Sequence, residues 1–208
     1  MSRNIECVQS TTVTFQNSTM ARFALFVDVR IALPRRASQL ASAESSDTAD
    51  DRFSSGGTSA VLRFANVHLE SLPVGAEARP EQLAIVSSKL NDASSQPELR
   101  GGVVAGDMNA IGESDVGLPA KCNLCDAFTG SEDDEQGFTW GYQPTCVFKP
   151  GRLDKILFTP GNGLEVVALR RVGVGLKAEL TQSDATTKDE IWASDHFGLV
   201  ADVQFADS

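Results

Sequence analysis

The stretch GGVVAGDMNA (residues 101–110) decides the architecture. It begins as a short, wholly apolar run and ends abruptly in Asp107, Met108 and Asn109. An apolar run without polar alternation is buried on both faces, so it predicts a central strand with structure packed above and below it. Such a strand belongs to a layered α/β or α+β sandwich. Gly106 allows close backbone approach as the strand ends. Asp107 and Asn109 lie two apart, and in extended chain they project to the same side. A carboxylate and a carboxamide at the mouth of a buried strand suit water activation plus an amide donor to a phosphoryl oxygen. Gly, Asp and Asn are also turn formers, and taken alone GDMN favours a turn by roughly two to one.

Further elements follow outward from this strand. RFALFVDVRIAL (22–33) alternates Phe23, Leu25, Val27, Val29, Ile31 and Leu33 against smaller or polar residues, a period-two strand. Residues 34–59, rich in Ser, Ala, Asp and Gly, read as a long surface loop inserted between two strands. AVLRFANVHLES (60–71) is the next strand, with His68 at its C-terminal end. RPEQLAIVSSKLNDA (79–93) places Pro80 at a helix start and Leu83, Val86 and Leu90 on one face. Residues 111–150 are loop-rich, and strands return at 151–160, 164–172 and 197–205. No internal repeat is present.

The chain has 208 residues, enough for one large domain or two small ones and for a substantial core. No apolar run approaches a membrane span, and the N-terminal residues lack the order of a signal peptide, which makes a nuclear or cytoplasmic location the default. The four cysteines do not read as a disulfide framework, and the CxxC of Cys122 and Cys125 lacks a second ligand pair, so thiols outweigh zinc by roughly five to one. The net charge of −10 and pI near 4.6 exclude a histone-like coating role. A nucleic-acid substrate would have to be gripped locally, with a metal ion offsetting phosphate charge.

Only two histidines exist, His68 and His196, and each sits at the edge of a strand-like run. A histidine held by one carboxylate and adjoining another, as in the Asp195–His196 pair, tends to stay protonated and can donate to a phosphate or leaving oxygen. Singly, each of these residues, and Asp154 in GRLDKILF, is better explained by a solvated strand edge. No GxSxG, P-loop or HExxH is present, so the candidate nucleophile is water.

The ordered motifs NVHLES, VVAGDMNA, FTWGYQ, GRLDKILF and SDHFGLV together resemble the endonuclease/exonuclease/phosphatase superfamily, most closely its tyrosyl-DNA phosphodiesterase 2 group. The resemblance runs from about Phe15 to Phe205. It implies a four-layer, DNase I-like α/β sandwich and Mg²⁺-dependent phosphoester hydrolysis, with Mn²⁺ as a substitute. By resemblance, Asp107 positions or deprotonates the attacking water, Asn109 holds the scissile phosphate, and His196 stabilises transition-state charge. Asp154 orients His196, while Asp195 together with Asp107 contributes to the metal site. His68 and Ser71 contact phosphate, and Thr139 and Trp140 form the substrate-side loop. The superfamily's opening strands, which bear an Asn and the principal Mg²⁺-binding Glu, have no counterpart here. The resemblance therefore implies a single incomplete domain over residues 1–208, lacking its first third.

The expected activity is hydrolysis of a phosphodiester such as a 5′-phosphotyrosyl–DNA link, with DNA as the expected partner. The competing readings are another phosphoesterase of the superfamily (nuclease, phosphoinositide or phospholipid phosphodiesterase) and a non-catalytic remnant.

Overall fold

The computed structural model describes residues 5–32, 59–161, 163–180 and 189–205. Apart from Ser59, the expected 34–59 insertion lies outside these residues. Six strands form the main sheet: β1 (Glu6–Thr14), β2 (Phe23–Ala32), β3 (Ser59–His68), β4 (Leu99–Asp107), β5 (Cys125–Asp126) and β6 (Asp154–Phe158). Their order is β1-β2-β3-β4-β6-β5. The β3–β4 pair is parallel and the other pairs are antiparallel. A parallel pair needs a crossover, which here carries α1 (Ala78–Leu90). A short helix, α2 (Leu118–Lys121), follows β4.

One face of the sheet packs on the helices. Leu83, Val86 and Leu90 of α1 are fully buried against Phe26, Val67, Val104 and Leu157, so the i, i+3, i+7 stripe faces the sheet. The helix stops at Leu90, with Asn91 as its cap, three residues before the end expected from sequence. Arg63, buried on β3, forms a two-pronged contact with buried Asp28 of β2 (2.6 and 2.8 Å). The same guanidinium donates to the carbonyls of Lys89 and Asp92, satisfying backbone acceptors where the helix has ended.

The opposite face is covered over β4 and β6 by a second, antiparallel sheet of β7 (Leu164–Val172) and β10 (Gly198–Phe205). Val103 and Ile156 pack there against Val166, Leu169, Leu199 and Ala201. Between the two strands lies a hairpin, β8 (Lys177–Leu180) with β9 (Asp189–Trp192). The described residues thus stack helices, main sheet and second sheet into the α/β sandwich that the sequence predicts.

On β2 the burial reverses the sequence expectation. Ala24, Phe26 and Asp28 enter the core, while Phe23 and Leu25 remain 52% and 41% exposed. The register aligns Leu25 with Asn66 and Val27 with Phe64, placing this row on the face whose cover is packed against β4 and β6. Apolar alternation alone does not say which side of a sheet is occupied. Among the described residues no helix is long and apolar enough to cross a membrane.

Candidate active site

Two register pairs set the site. His68 lies opposite Asp107 across β3 and β4, and Asp107 lies opposite Asp154 across β4 and β6. The three side chains form one row at the C-terminal ends of the parallel strands, where backbone ladders give way to loops. This close approach is possible because residue 106 is glycine. Its φ is +147°, and a Cβ there would stand 1.9 Å from the Val67 carbonyl oxygen.

Asp107 ends the strand, and the chain turns at once. Its Oδ1 accepts from the Asn109 backbone N–H (2.8 Å), and Asn109 takes a left-handed φ of 48°. This corrects the extended-chain projection of Asp107 and Asn109: GDMN is a side-chain-closed turn, the local alternative that Asp offers its backbone. Asn109 is buried, with Nδ2 donating to the Leu69 carbonyl at 3.0 Å, so one of its two amide hydrogens ties β4's exit to β3's.

His196 comes from the segment entering β10. Its Nδ1 lies 2.7 Å from Asp154 Oδ2, and its Nε2 lies 4.0 Å from Asp195 Oδ2. His68 Nε2 stands 3.3 Å from Asp107 Oδ2. The two histidines therefore flank the two aspartates of the row, one at each end. Their electrostatics differ. The hydrogen bond that the ring donates to Asp154 raises the His196 imidazole above its ordinary range despite burial, and the Asp107 and Asp195 charges add to the effect. Burial pushes His68 down, with Arg22 and His196 acting in the same direction and outweighing the pull of Asp107. Burial also pushes the Asp107 carboxyl up, and the neighbouring Asp154 adds to it against the Asn109 N–H.

Trp140 forms a bridge with His196 and with Gly151, and its ring stacks with Phe148 at 6.3 Å. Thr139, expected on the substrate side, has no exposed surface. Its hydroxyl accepts from the Asp154 backbone N–H (3.0 Å) and its carbonyl from Phe197 N–H (2.7 Å), so it joins the strand bearing Asp154 to the segment bearing His196. Ser71 accepts from Arg22 Nη2 at 2.8 Å.

Arg22 is a residue that sequence reasoning missed. Its Nε is buried without a hydrogen-bond partner among the described residues, and its charge reaches His68. Nothing local marks it, because only the turn before β2 brings it to Ser71. A groove of about 530 Å³ opens beside the site, lined by Glu113, Glu132 and Asp133 as well as Lys149, Arg152 and Lys155. With both signs present it offers no basic track for a polyanion.

A divalent-cation site was expected at Asp107 and Asp195. Among the described residues, no group of three or more His, Cys, Asp or Glu side chains is placed to hold a metal ion. Hard cations need several oxygen donors. Asp107 is engaged by Asn109 N–H and His68, and the Asp195 side chain is 67% exposed beside His196. These residues do not by themselves fit a Mg²⁺ or Mn²⁺ site.

No known family model and no curated protein sequence matches the chain. Solved structures do. TDP2 of D. rerio, in complex with a single-strand DNA product, aligns with a TM-score of 0.62 at 18% identity, covering 96% of this chain and 68% of its own. A truncated TDP2 of Caenorhabditis elegans gives 0.59 at 17% identity, covering 97% and 67%. The human Nocturnin catalytic domain, with bound sulfate, gives 0.57 at 17% identity, covering 97% and 60%. Likeness at these identities is likeness of fold, and it extends over nearly the whole chain. The chain is built on a mixed α/β fold of the DNase I-like type, shared with these solved structures.

Proposed function

We propose that the chain is a phosphoester hydrolase of the phosphodiesterase type, acting on a phosphodiester such as a 5′-phosphotyrosyl–DNA link. One observation carries the reading: Asp107 stands opposite Asp154 across β4 and β6, and Asp154 Oδ2 lies 2.7 Å from His196 Nδ1, so two carboxylates and an imidazole meet in one row at the end of the strands. Asp107 is a stronger base than an ordinary carboxylate and takes a proton from the attacking water. His196, whose protonated form Asp154 favours, donates to the phosphoryl or leaving oxygen where negative charge builds. The second amide hydrogen of Asn109 donates to a remaining phosphoryl oxygen, and His68, with Nε2 3.3 Å from Asp107 Oδ2, orients that carboxylate. Arg22, beside Ser71, supplies the cation that local gripping of a phosphate needs in a chain of net charge −10. The fold shared with a DNA-bound TDP2 favours nucleic acid as the substrate.

The test is turnover of 5′-tyrosyl DNA against a matched abasic duplex and a phosphoinositide, with and without Mg²⁺ or Mn²⁺. Asp107→Asn and His196→Ala should each lower kcat by about 10²-fold or more, the usual scale for losing one such group. Near-normal rates in either variant sink the assignment. A second reading, a non-catalytic binding module, is favoured by the lack of a three-donor cation site among the described residues. It predicts binding of single-strand DNA without turnover under any metal.

A further inference from the structure

Gln143 lies in the loop that also carries Thr139 and Trp140, and it is only 3% exposed. Its Nε2 donates to the carbonyls of Ser194 (3.0 Å), His196 (3.3 Å) and Gly173 (3.3 Å), and its Oε1 accepts from Gly175 N–H (3.1 Å). Three carbonyls around the nitrogen and one N–H at the oxygen fix the orientation of the amide, since reversal would set oxygen against three acceptors. A buried carboxamide is costly unless satisfied, and this one is satisfied entirely by backbone.

The partners belong to two segments. Gly173 and Gly175 follow β7, and Ser194 and His196 precede β10. Gln143 therefore closes the open end of the β7–β10 ladder beyond its last pair, Gly198 with Val172. It also brackets His196. Two residues of one loop grip the chain on either side of the imidazole: Thr139 O holds Phe197 N–H, and Gln143 holds the Ser194 and His196 carbonyls. Among the described residues the ring itself has a single hydrogen bond, to Asp154. Its aim at Asp154 and at the row beyond is thus set largely by where the backbone is held.

We infer that Gln143 is a positioning residue for His196, fixing the backbone from which the imidazole reaches the Asp154–Asp107 row; the inference rests on the reading of His196 as the charge-stabilising donor. Displacing such a donor by about 1 Å commonly costs about 10²-fold in rate. A group that only filled space would be replaced without harm by an apolar side chain of equal volume.

Gln143→Met keeps the volume and removes all four bonds. Gln143→Glu keeps the acceptor for Gly175 and sets an oxygen against the three carbonyls. On an aryl 5′-nucleotide phosphodiester, Gln143→Met should lower kcat by about 10- to 10²-fold with KM changed less than about twofold. In a His196→Ala background the same substitution should cost nothing further, because its effect passes through that imidazole. An additive loss in the double variant, or an unchanged kcat, overturns the inference. If the unaltered chain turns over no substrate, the proposed function fails and proton NMR decides the inference separately. With two histidines in the chain, the Hε1 signal of His196 is assigned by its loss in His196→Ala. At one fixed pH, Gln143→Met should shift or broaden that signal and leave the His68 signal in place. An unmoved His196 signal in the folded variant refutes positioning. Should circular dichroism show Gln143→Met unfolded, Gln143→Glu carries both measurements with the same expected outcomes.

Discussion

Glu70 stands between His68 and Ser71, yet its carboxylate is engaged elsewhere. It accepts from Ser18 Oγ (2.6 Å), Thr19 N–H (2.8 Å), Thr19 Oγ1 (2.6 Å) and Gln82 Nε2 (3.4 Å). Ser18 Oγ in turn accepts from Arg22 N–H (2.8 Å), so the buried acid sets the turn that delivers the arginine to Ser71. Burial alone would raise this carboxyl, but the donors hold it at about 2 rather than 4.5. A depressed folded-state pKa gives stability that is full above the unfolded value and is lost as pH falls from about 4.5 towards about 2. Glu70→Gln should therefore flatten the acid limb of stability in that window and lower stability at neutral pH. Denaturant melts from pH 2 to 7 read both, and an acid limb identical in the two proteins would exclude this role. Residues of this kind were not legible in sequence. HLES drew attention to His68 and Ser71, whereas the work of Glu70, Arg22 and Gln143 exists only through contacts between distant segments. Asn109 marks the opposite limit, since its two-residue spacing from Asp107 implied a shared side only while the chain stayed extended.

Elements were readable where one face alone decides burial. The α1 stripe of Leu83, Val86 and Leu90 is such a case, and all three are buried to 1% or less. Leu83→Ala should cost about 2–5 kcal/mol of unfolding free energy, because the close-packed sheet beneath cannot collapse into the space. A thermal or denaturant melt checks this, and a loss under about 1 kcal/mol would mean the helix packs loosely on the sheet. The apolar run of β4 was equally plain, with Gly101 to Val104 buried. β1 was not. ECVQSTTVT is an edge strand with most positions exposed, and it carries no apolar alternation to betray it. Its pairing with β2 comes from backbone hydrogen bonds, which any sequence can make. The β8–β9 hairpin escaped for the same reason, being short and largely exposed.

At the scale of the whole molecule, charge sets the encounter with substrate. A net charge of −10 opposes the approach of any polyanion, and the groove beside the site, with acids among its bases, does not reverse this. Added salt screens long-range repulsion over about 10 Å at 0.1 M. For an oligonucleotide substrate, kcat/KM should therefore rise by a few-fold between 10 and 100 mM salt, opposite to the fall shown by proteins that bind through basic surfaces. Steady-state kinetics across that range decides it, and a steep fall would mean that local cations such as Arg22 dominate the encounter. Topology adds a further consequence. Asp154 opens β6, ahead of β7, whereas His196 arrives only with β10. Their 2.7 Å contact bridges 42 positions of chain and waits on the β7–β10 ladder. Long-range strand pairing is slow, because loop closure must come before its contacts form. On this topology the imidazole is expected to reach Asp154 only after the main sheet has paired, so a partly folded molecule would lack the Asp154–His196 contact.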